Sequence, residues 1–598
     1  MPAKSVDLLI VGAGTSSPLS IISRTNSTGL HGLIMAKTYL EIHPSATLLV
    51  VDESQSVGGT WARERLYPGL KTNNVFGSYE LSDFPMEARR YGVDGTGHIP
   101  GHVVHAYLCD VADRFGITPC LMLDTRVITT DLLDDGSWRV SLQSLNREDG
   151  IVEEIHAAKL VIAAGLTSKP HIPKIPGSEI FDRLMLHSKQ LRDQAQRLAE
   201  SKTVVVVGGN KSAWDVCYTA ARAGSQVHMV IRPSGGGPSY LWPRRFALGP
   251  FEVSLAKLST MRLFTLFDPA VAVASPGPFS WAERFLHQTS IGRRICQLFW
   301  KYLDRTVRMI NGYHMHPELR KVEPWTTPFW MGNSLSIHNY ETSWFDLVRE
   351  WKIHVHIADL QSLSPGKVHL ADGTILDTDA LVLCTGWETD HLVKVDTGRV
   401  DAKEEQILTE EIHANVPYLS HLARRTLNAP ETEDSTTSAE DSEDSSSDSS
   451  PPLLYCDMVP STEQYLLFKN LAFIGMSVSI HAVLVAQAQA LWITAFLSNS
   501  IPHLRTENLN HNHVRSRALF DRVYGQLRRP RETGGLAGQH ADLVFDSLPY
   551  VDGLLGDLGM ECRRKRNCWR ELMEPYCLGD YKRLVTEWMD LQGRDLGE

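Results

Sequence analysis

The chain contains no C-x-x-C pair. Its nine cysteines are scattered over 598 residues and odd in number. This pattern argues against a disulfide framework and a tetrahedral zinc site, and it fits a reducing compartment. It also denies a dithiol redox enzyme its usual sequence mark. Long hydrophobic runs are missing too: the longest, Ala482 to Leu497, is broken by Gln487 and Gln489. No signal peptide is expected, because the strand-like run Val6 to Val11 starts without a basic flank or a cleavage site. There is no basic surplus. The formal net charge is −11, which argues against a nucleic-acid binder. No Ser-His-Asp set and no paired carboxylates stand out for hydrolytic chemistry.

What is present reads as globular. Apolar residues make up 43% and charged residues 22%, so collagen-like, wholly disordered and multi-span classes do not fit. The negative charge is local. The tract Glu431 to Pro452 holds eight acidic residues and no Lys or Arg, so the rest of the chain carries only about −3. That Ser-rich tract lacks the apolar surface to fold and is expected to be a disordered loop.

The run Asp7-Leu-Leu-Ile-Val11 leads into Gly12-Ala13-Gly14, as a buried parallel strand enters a phosphate-binding turn. Glycines allow the tight turn, and the following helix N-terminus holds a pyrophosphate. The third glycine of G-x-G-x-x-G does not arrive on schedule. Residues 15–29 intervene, and joining Gly14 to Leu30 restores the fingerprint with Gly32 as its last glycine. Residues 15–29 are therefore read as an insertion; the alternative is a true bulge with the helix restarting at Gly29. A second strand, Thr47 to Val51, ends in Asp52, 20 residues after Gly32, at the spacing of a ribose-binding acid. Val57-Gly58-Gly59-Thr60-Trp61 follows, with glycines where a backbone passes a flat ring and an indole that can pack beside it.

A second unit repeats the pattern. Thr203 to Val207 is a buried strand, followed by Gly208-Gly209-Asn210-Lys211-Ser212-Ala213. Asn210 stands where a second glycine is usual, and Asn is the best replacement in a left-handed turn. Lys211 would add charge near a pyrophosphate, and Ser212 could hydrogen-bond it or simply cap a helix. The next strand, Gln226 to Ile231, ends in Arg232. A basic residue there suits the 2′-phosphate of NADPH over NADH.

With these two units in order, the chain resembles the flavin-containing monooxygenases and the related Baeyer–Villiger monooxygenases, flavoproteins that use FAD and NADPH. The resemblance covers roughly residues 6–232 and 335–498. It implies that Gly12, Gly14, Gly32, Asp52, Gly59, Thr60, Trp61 and main-chain atoms of Val127 bind FAD. It implies that Gly208, Gly209, Lys211, Ser212 and Arg232 bind NADPH. It places Asn73, in Tyr67-Pro-Gly-Leu-Lys-Thr-Asn73-Asn74, beside the flavin and nicotinamide; Baeyer–Villiger enzymes usually have Asp there. The central signature F-x-G-x-x-x-H-x-x-x-[YFW] is degraded. Phe181 and His187 match, but Arg183 and Leu191 do not.

The expected fold is α/β, with two Rossmann-like dinucleotide-binding domains, a helical insert and a helical tail. Residues 1–200 would form the first part of the FAD domain, 201–385 the NADPH domain, 386–498 the second part of the FAD domain and 499–598 a helical extension. Residues 429–452 would be the acidic loop. Residues 236–330, with twelve Lys/Arg against six Asp/Glu and many aromatics, read as a helical cap over the substrate channel. A basic, aromatic face there could instead touch an anionic membrane, or be a plain solvated helical surface. No metal is expected. The resemblance implies insertion of one oxygen atom of O2 into a lipophilic small metabolite by hydroxylation, epoxidation or heteroatom oxidation, through a flavin peroxide. The cysteine pattern and the missing signal peptide imply a cytoplasmic location, free or at a membrane. Three alternatives stand beside it. One is Baeyer–Villiger oxidation of a ketone; another is a dithiol reductase, for which the best close cysteines are Cys562 and Cys568. The third is a flavin-deficient product of the insert.

Overall fold

A computed structural model describes residues 4–12, 29–146, 151–248, 251–270, 279–332, 334–388, 402–416, 419, 453–530, 533–534 and 540–595. Gly14, the segment 15–28 and the tract 429–452 lie outside the described residues.

Two mostly parallel sheets organise the chain. In the first, β1 (Lys4–Val11) sits centrally, flanked by β2 (Leu48–Val51), with β3 (Leu121–Met122) outside it. On the other side of β1 come β4 (Thr125–Leu132), β5 (Trp138–Ser144) and β6 (Val152–Ile162), in the order β3-β2-β1-β6-β5-β4. β1 to β3 and β6 pair in parallel, while β5 joins β4 and β6 antiparallel. Leu8 to Val11 and Val50 to Val51 are buried on both faces. That explains their unbroken apolar runs: a parallel strand covered on both sides has no polar face to alternate with. α1 (Leu30–Ile42) begins at its N-cap Gly29.

The second sheet is wholly parallel and five-stranded. β7 (Leu184–His187), β8 (Thr203–Val207), β9 (Gln226–Ile231), β10 (Ile353–Ile357) and β11 (Ala380–Leu383) run in the order β7-β11-β8-β9-β10. α2 (Lys211–Ala223) follows β8 and ends at Gly224, whose φ of 102° is open to glycine at little cost. The chain then returns to the first sheet, where β12 (Leu471–Phe473) pairs with β6.

Residues 236–330 leave the second sheet and come back through a parallel pair, Tyr240–Trp242 with Leu335–Ile337. The segment is not purely helical: Phe246–Leu248 and Phe251–Val253 form a hairpin before the helices start. Two of those helices are long, α3 (Ser280–Gln288) and α4 (Ser290–Asn311). Their buried aromatics share one core with the C-terminal helices. Phe264 and Trp300 both pack against Phe545, at 5.9 and 5.3 Å between ring centres.

The C-terminal helices follow α5 (Ala482–Leu497), which lies along α1 and is buried almost all round. α6 (His511–Arg528) and α7 (Ser547–Asp557) then clamp the inserted segment with charge. Arg528 pairs with Asp268, and Arg262 pairs with both Asp552 and Glu571. No role for the tail was legible in sequence; in the structure it holds the 236–330 segment in place.

Candidate flavin and dinucleotide site

Gly12 follows β1, and its N–H donates to the Val51 carbonyl at 2.9 Å, which ties the end of β1 to β2. Gly32 is buried on the first turn of α1. His31 beside it lies against Gly475, where a Cβ would stand 2.8 Å from the imidazole ring. Burial pulls the His31 pKa down to about 4, so the ring there is neutral. Asp52 is buried at the end of β2, and its Oδ1 accepts the Ser54 N–H at 2.8 Å. Glu53 next to it pairs with Arg126 at 2.6 Å, which fixes β4 beside this corner. Val127 is buried on β4, next to a shift in the ladder between Val127 and Thr129.

The Gly58-Gly59 turn is a real backbone requirement. Gly58 has φ of 129° and Gly59 of 66°. A Cβ on Gly58 would meet the Trp61 main chain at 2.8 Å. The turn presents Thr60 outward, and Trp61 is pinned by its indole N–H to the Tyr79 hydroxyl at 2.8 Å. Asn73 lies on the short strand Lys71–Val75. Its neighbour Asn74 donates to the Ile480 carbonyl at 2.7 Å, tying this strand to the loop before α5. Asn73 Oδ1, by contrast, is buried with no hydrogen-bond partner among the described residues. A buried amide oxygen left unsatisfied costs about 1–3 kcal/mol and is a position where a ligand donor fits.

In the second turn Gly208 has φ of 140°, and its bare α-carbon faces the Cys384 carbonyl at the end of β11. Gly209 faces the Gly237 carbonyl, 2.6 Å from where a Cβ would stand. Close packing of one loop on another therefore already requires both glycines. Asn210 departs from the sequence expectation. Its φ is −91° and ψ 179°, so it is extended rather than left-handed, because it is the N-cap residue of α2. Ser212 follows in the first helical turn.

Lys211 is taken elsewhere. Its ammonium pairs with Asp215, donates to Asn339 Oδ1 at 2.9 Å and to the Tyr340 hydroxyl at 3.2 Å, and lies 4.5 Å from the Tyr340 ring centre. Tyr67 donates to the same Asp215 at 3.2 Å, and Asn339 donates to the Thr72 carbonyl at 3.2 Å. This network joins the strand that carries Asn73 to α2. Lys211 thus stands between α2 and the strand that carries Asn73. Arg232 is exposed at the end of β9, makes no ion pair among the described residues, and wraps beside Gly235.

Sequence reasoning missed the seam between the two sheets. Arg65 donates to the Thr167 carbonyl at 3.2 Å and lies 5.5 Å from the Trp387 ring centre. Burial pulls its guanidinium down to about 10. Lys189 lies 6.0 Å from the same ring centre, and burial, with Arg65 nearby, lowers its pKa to about 7. His187 accepts the Lys189 N–H and contacts the Gly386 carbonyl at 3.1 Å, so it fastens β7 to the exit from β11. The contacts of His98 also lay beyond sequence reasoning; burial holds its pKa near 4.

All nine cysteines are free thiols. Cys217 and Cys384 come near each other in the second core, but burial pushes both thiols up, which suppresses thiolate chemistry. Cys562 donates to the Asp552 carbonyl at 3.3 Å, and Cys568 is exposed. No metal-binding cluster of His, Cys, Asp or Glu occurs among the described residues. No helix among them is long and apolar enough to cross a membrane.

Two sheets, one mostly and one wholly parallel, with glycines following β1 and β8 and a polar seam between them, define a flavoprotein oxidoreductase with two dinucleotide-binding folds. Residues 98–240 match the pyridine nucleotide-disulphide oxidoreductase family. An FAD-dependent monooxygenase of Pyrenophora dematioidea is 31% identical over 94% of this chain and 100% of its own length. The FAD-dependent monooxygenase resA of Aspergillus sclerotiorum is 30% identical over 99% of both chains. The chain belongs to this family of FAD-dependent monooxygenases. Its fold is similar to an open crystal structure of cyclohexanone monooxygenase, with a TM-score of 0.52 at 17% identity over 84% of this chain and 91% of that one. It is equally similar to S-allyl-L-cysteine S-oxygenase from Allium sativum, with a TM-score of 0.52 at 16% identity over 100% and 99%. The residues present fit the flavin: the Asn73 amide oxygen, buried without a partner among the described residues, would supply a polar contact to it.

Proposed function

We propose that the protein is an NADPH-dependent FAD monooxygenase that places one oxygen atom of O2 on a lipophilic small molecule and releases the other as water. The bound flavin supplies the oxygen chemistry. The protein's own residues position and exclude. Gly12, Gly32, Asp52 and Val127 hold the FAD nucleotide half; Gly59, Thr60 and Trp61 border its ring system. Asn73 offers a neutral acceptor to a donor on the flavin or the nicotinamide. Its amide cannot carry the charge of the Asp that Baeyer–Villiger enzymes usually have there. This supports hydroxylation, epoxidation or heteroatom oxidation over ketone-to-ester conversion.

The observation that carries the NADPH preference is Arg232. Its guanidinium is exposed at the end of β9 without an ion pair among the described residues, and no carboxylate follows the strand to hold a ribose hydroxyl. Gly208, Gly209 and Ser212 line the adjoining turn. Anaerobic reduction of the bound flavin, followed at its visible absorbance with NADPH and with NADH, tests this. NADPH is expected to be preferred, and Arg232→Ala should raise its KM by about tenfold to a hundredfold, the worth of a charge-assisted hydrogen bond. Equal use of both nucleotides by the wild type would overturn it.

A further inference from the structure

α3 and α4 form a helical hairpin hinged at Thr289, whose hydroxyl accepts the Gly292 N–H and caps α4. Gly292 lets the two helices close; a methyl there would run into the Phe285 carbonyl. α4 buries one stripe inward: Cys296, Trp300, Leu303 and Val307. A helix with that inner stripe should turn a polar face outward. This one does not. Ile291, Ile295, Leu298, Tyr302 and Met309, spaced at helical repeats, are 70, 40, 59, 50 and 56% exposed. Trp281 and Phe285 on α3 add exposures of 70 and 43%. Apolar side chains set together on a surface in this way mark an interaction site.

The charge between them has one sign. Arg284, Arg294, Lys301 and Arg305 are exposed on the same two helices and form no ion pair among the described residues. No exposed position from Ser280 to Asn311 is Asp or Glu. Glu283 is buried, and Asp304 is held inward by Arg308 and the Tyr240 hydroxyl.

We propose that the outward face of this hairpin, residues 281–310, docks on an anionic lipid bilayer, with its apolar side chains in the interface and its cations against headgroup phosphates. α4 is about 33 Å long and would lie in the interface plane. The assignment goes beyond the oxygenase activity and does not depend on it. Self-association fits poorly, because a two-fold contact sets this same cationic patch against its own copy with no carboxylate to neutralise it. A membrane face also suits an enzyme with a lipophilic substrate, which partitions into the same phase.

The test is co-sedimentation of the full-length, flavin-loaded protein with vesicles of phosphatidylcholine alone and of phosphatidylcholine mixed with phosphatidylserine. Binding is expected to the mixed vesicles, weakened by salt and by omission of phosphatidylserine. The triple variant Arg294→Glu/Lys301→Glu/Arg305→Glu should lose more than about a hundredfold in apparent affinity, at roughly fivefold per cation removed. The variant Ile295→Ser/Leu298→Ser/Tyr302→Ser should also fail to sediment. All six side chains are exposed, so flavin content and circular dichroism should match the wild type; a variant that loses either is replaced by its single substitutions. Wild-type protein left in the supernatant with mixed vesicles would overturn the proposal. So would unchanged binding by both variants, or a dimer in light scattering that the serine variant dissolves while the wild type ignores vesicles.

Discussion

The ion pair between Arg528 and Asp268 is where the C-terminal helices meet the inserted segment, and its removal gives the sharpest test of how the chain is held together. Both side chains are only 1% exposed. The guanidinium reaches Asp268 through two nitrogens, at 2.5 Å and 3.4 Å, donates to the Phe329 carbonyl, and lies 4.0 Å from the Phe329 ring centre. Asp268 Oδ1 also accepts the Ala270 N–H at 3.0 Å. Arg528→Met keeps much of the stem and its packing but leaves the carboxylate buried without its counter-charge, beside Asp546. Breaking one side of such a pair costs about 3–5 kcal/mol, because the orphaned charge has lost its solvation and its partner.

A chain with several cooperative units does not unfold in one step. The loss should therefore be read locally, by hydrogen exchange in Arg262–Thr265, α6 and α7. Arg528→Met is expected to speed exchange there by more than a hundredfold, while β1 and β8 change little. The double variant Arg528→Met/Asp268→Leu removes both charges and should recover most of the protection, since a buried pair replaced by apolar groups is often neutral. A loss below about 1 kcal/mol in the single variant would refute the reasoning. So would a double variant as unstable as the sum of its parts.

Other outcomes follow from single sites. Asn73→Leu removes a buried acceptor that no donor among the described residues uses, so stability should hold or rise, by up to about 1–3 kcal/mol, while substrate oxygenation per NADPH consumed falls, measured by oxygen uptake against product. Deleting residues 15–29 joins Gly14 to Leu30 and should leave or raise the bound flavin, read by absorbance after gel filtration; loss of flavin with intact circular dichroism would show that the segment belongs to the site. Asp457 lines a cavity of about 510 Å3 beside α6 and α7, and burial together with Asp521 raises its pKa to about 7. A carboxyl raised in the folded state stabilises while it stays protonated. Its contribution is complete below about pH 4 and is lost as pH climbs to about 7, by up to about 4 kcal/mol. Asp457→Asn should flatten denaturation midpoints across that window.

The two dinucleotide units were legible because each needs glycine, a buried strand and a charged strand end in one short window. Local geometry imposes all three, and Gly58 and Gly208 sit at the positive φ that the motif implies. Side-chain destinations were less legible. Lys211 stands in the fingerprint window, yet its ammonium is captured by Asp215 one turn on and by Asn339 and Tyr340 far along the chain. A motif specifies a backbone path, and a long flexible side chain answers to whatever the fold brings near. Asn210 shows the converse limit: the residue tolerates a left-handed turn, but the helix that starts after it asks for an extended cap.

The inserted segment shows why periodicity alone stops short. The spacing of Trp281 to Met309 fits helices, and helices form. Two apolar stripes exist on α4, however, and spacing cannot say which one the protein covers. The stripe through Trp300 and Leu303 is claimed by Phe545 and its neighbours, more than 200 residues later in the chain. The tail therefore decides the orientation of the hairpin. By filling one face from inside, anchored at Asp268 and Arg262, it turns Ile291, Leu298 and the exposed cations outward. Loosening that anchor should free the hairpin to rotate, so the Arg528→Met protein should lose vesicle binding along with local protection, although none of its surface charges has changed. Retained binding in a protein whose α6 exchanges freely would separate the two and show that α3 and α4 hold their outward face without the tail.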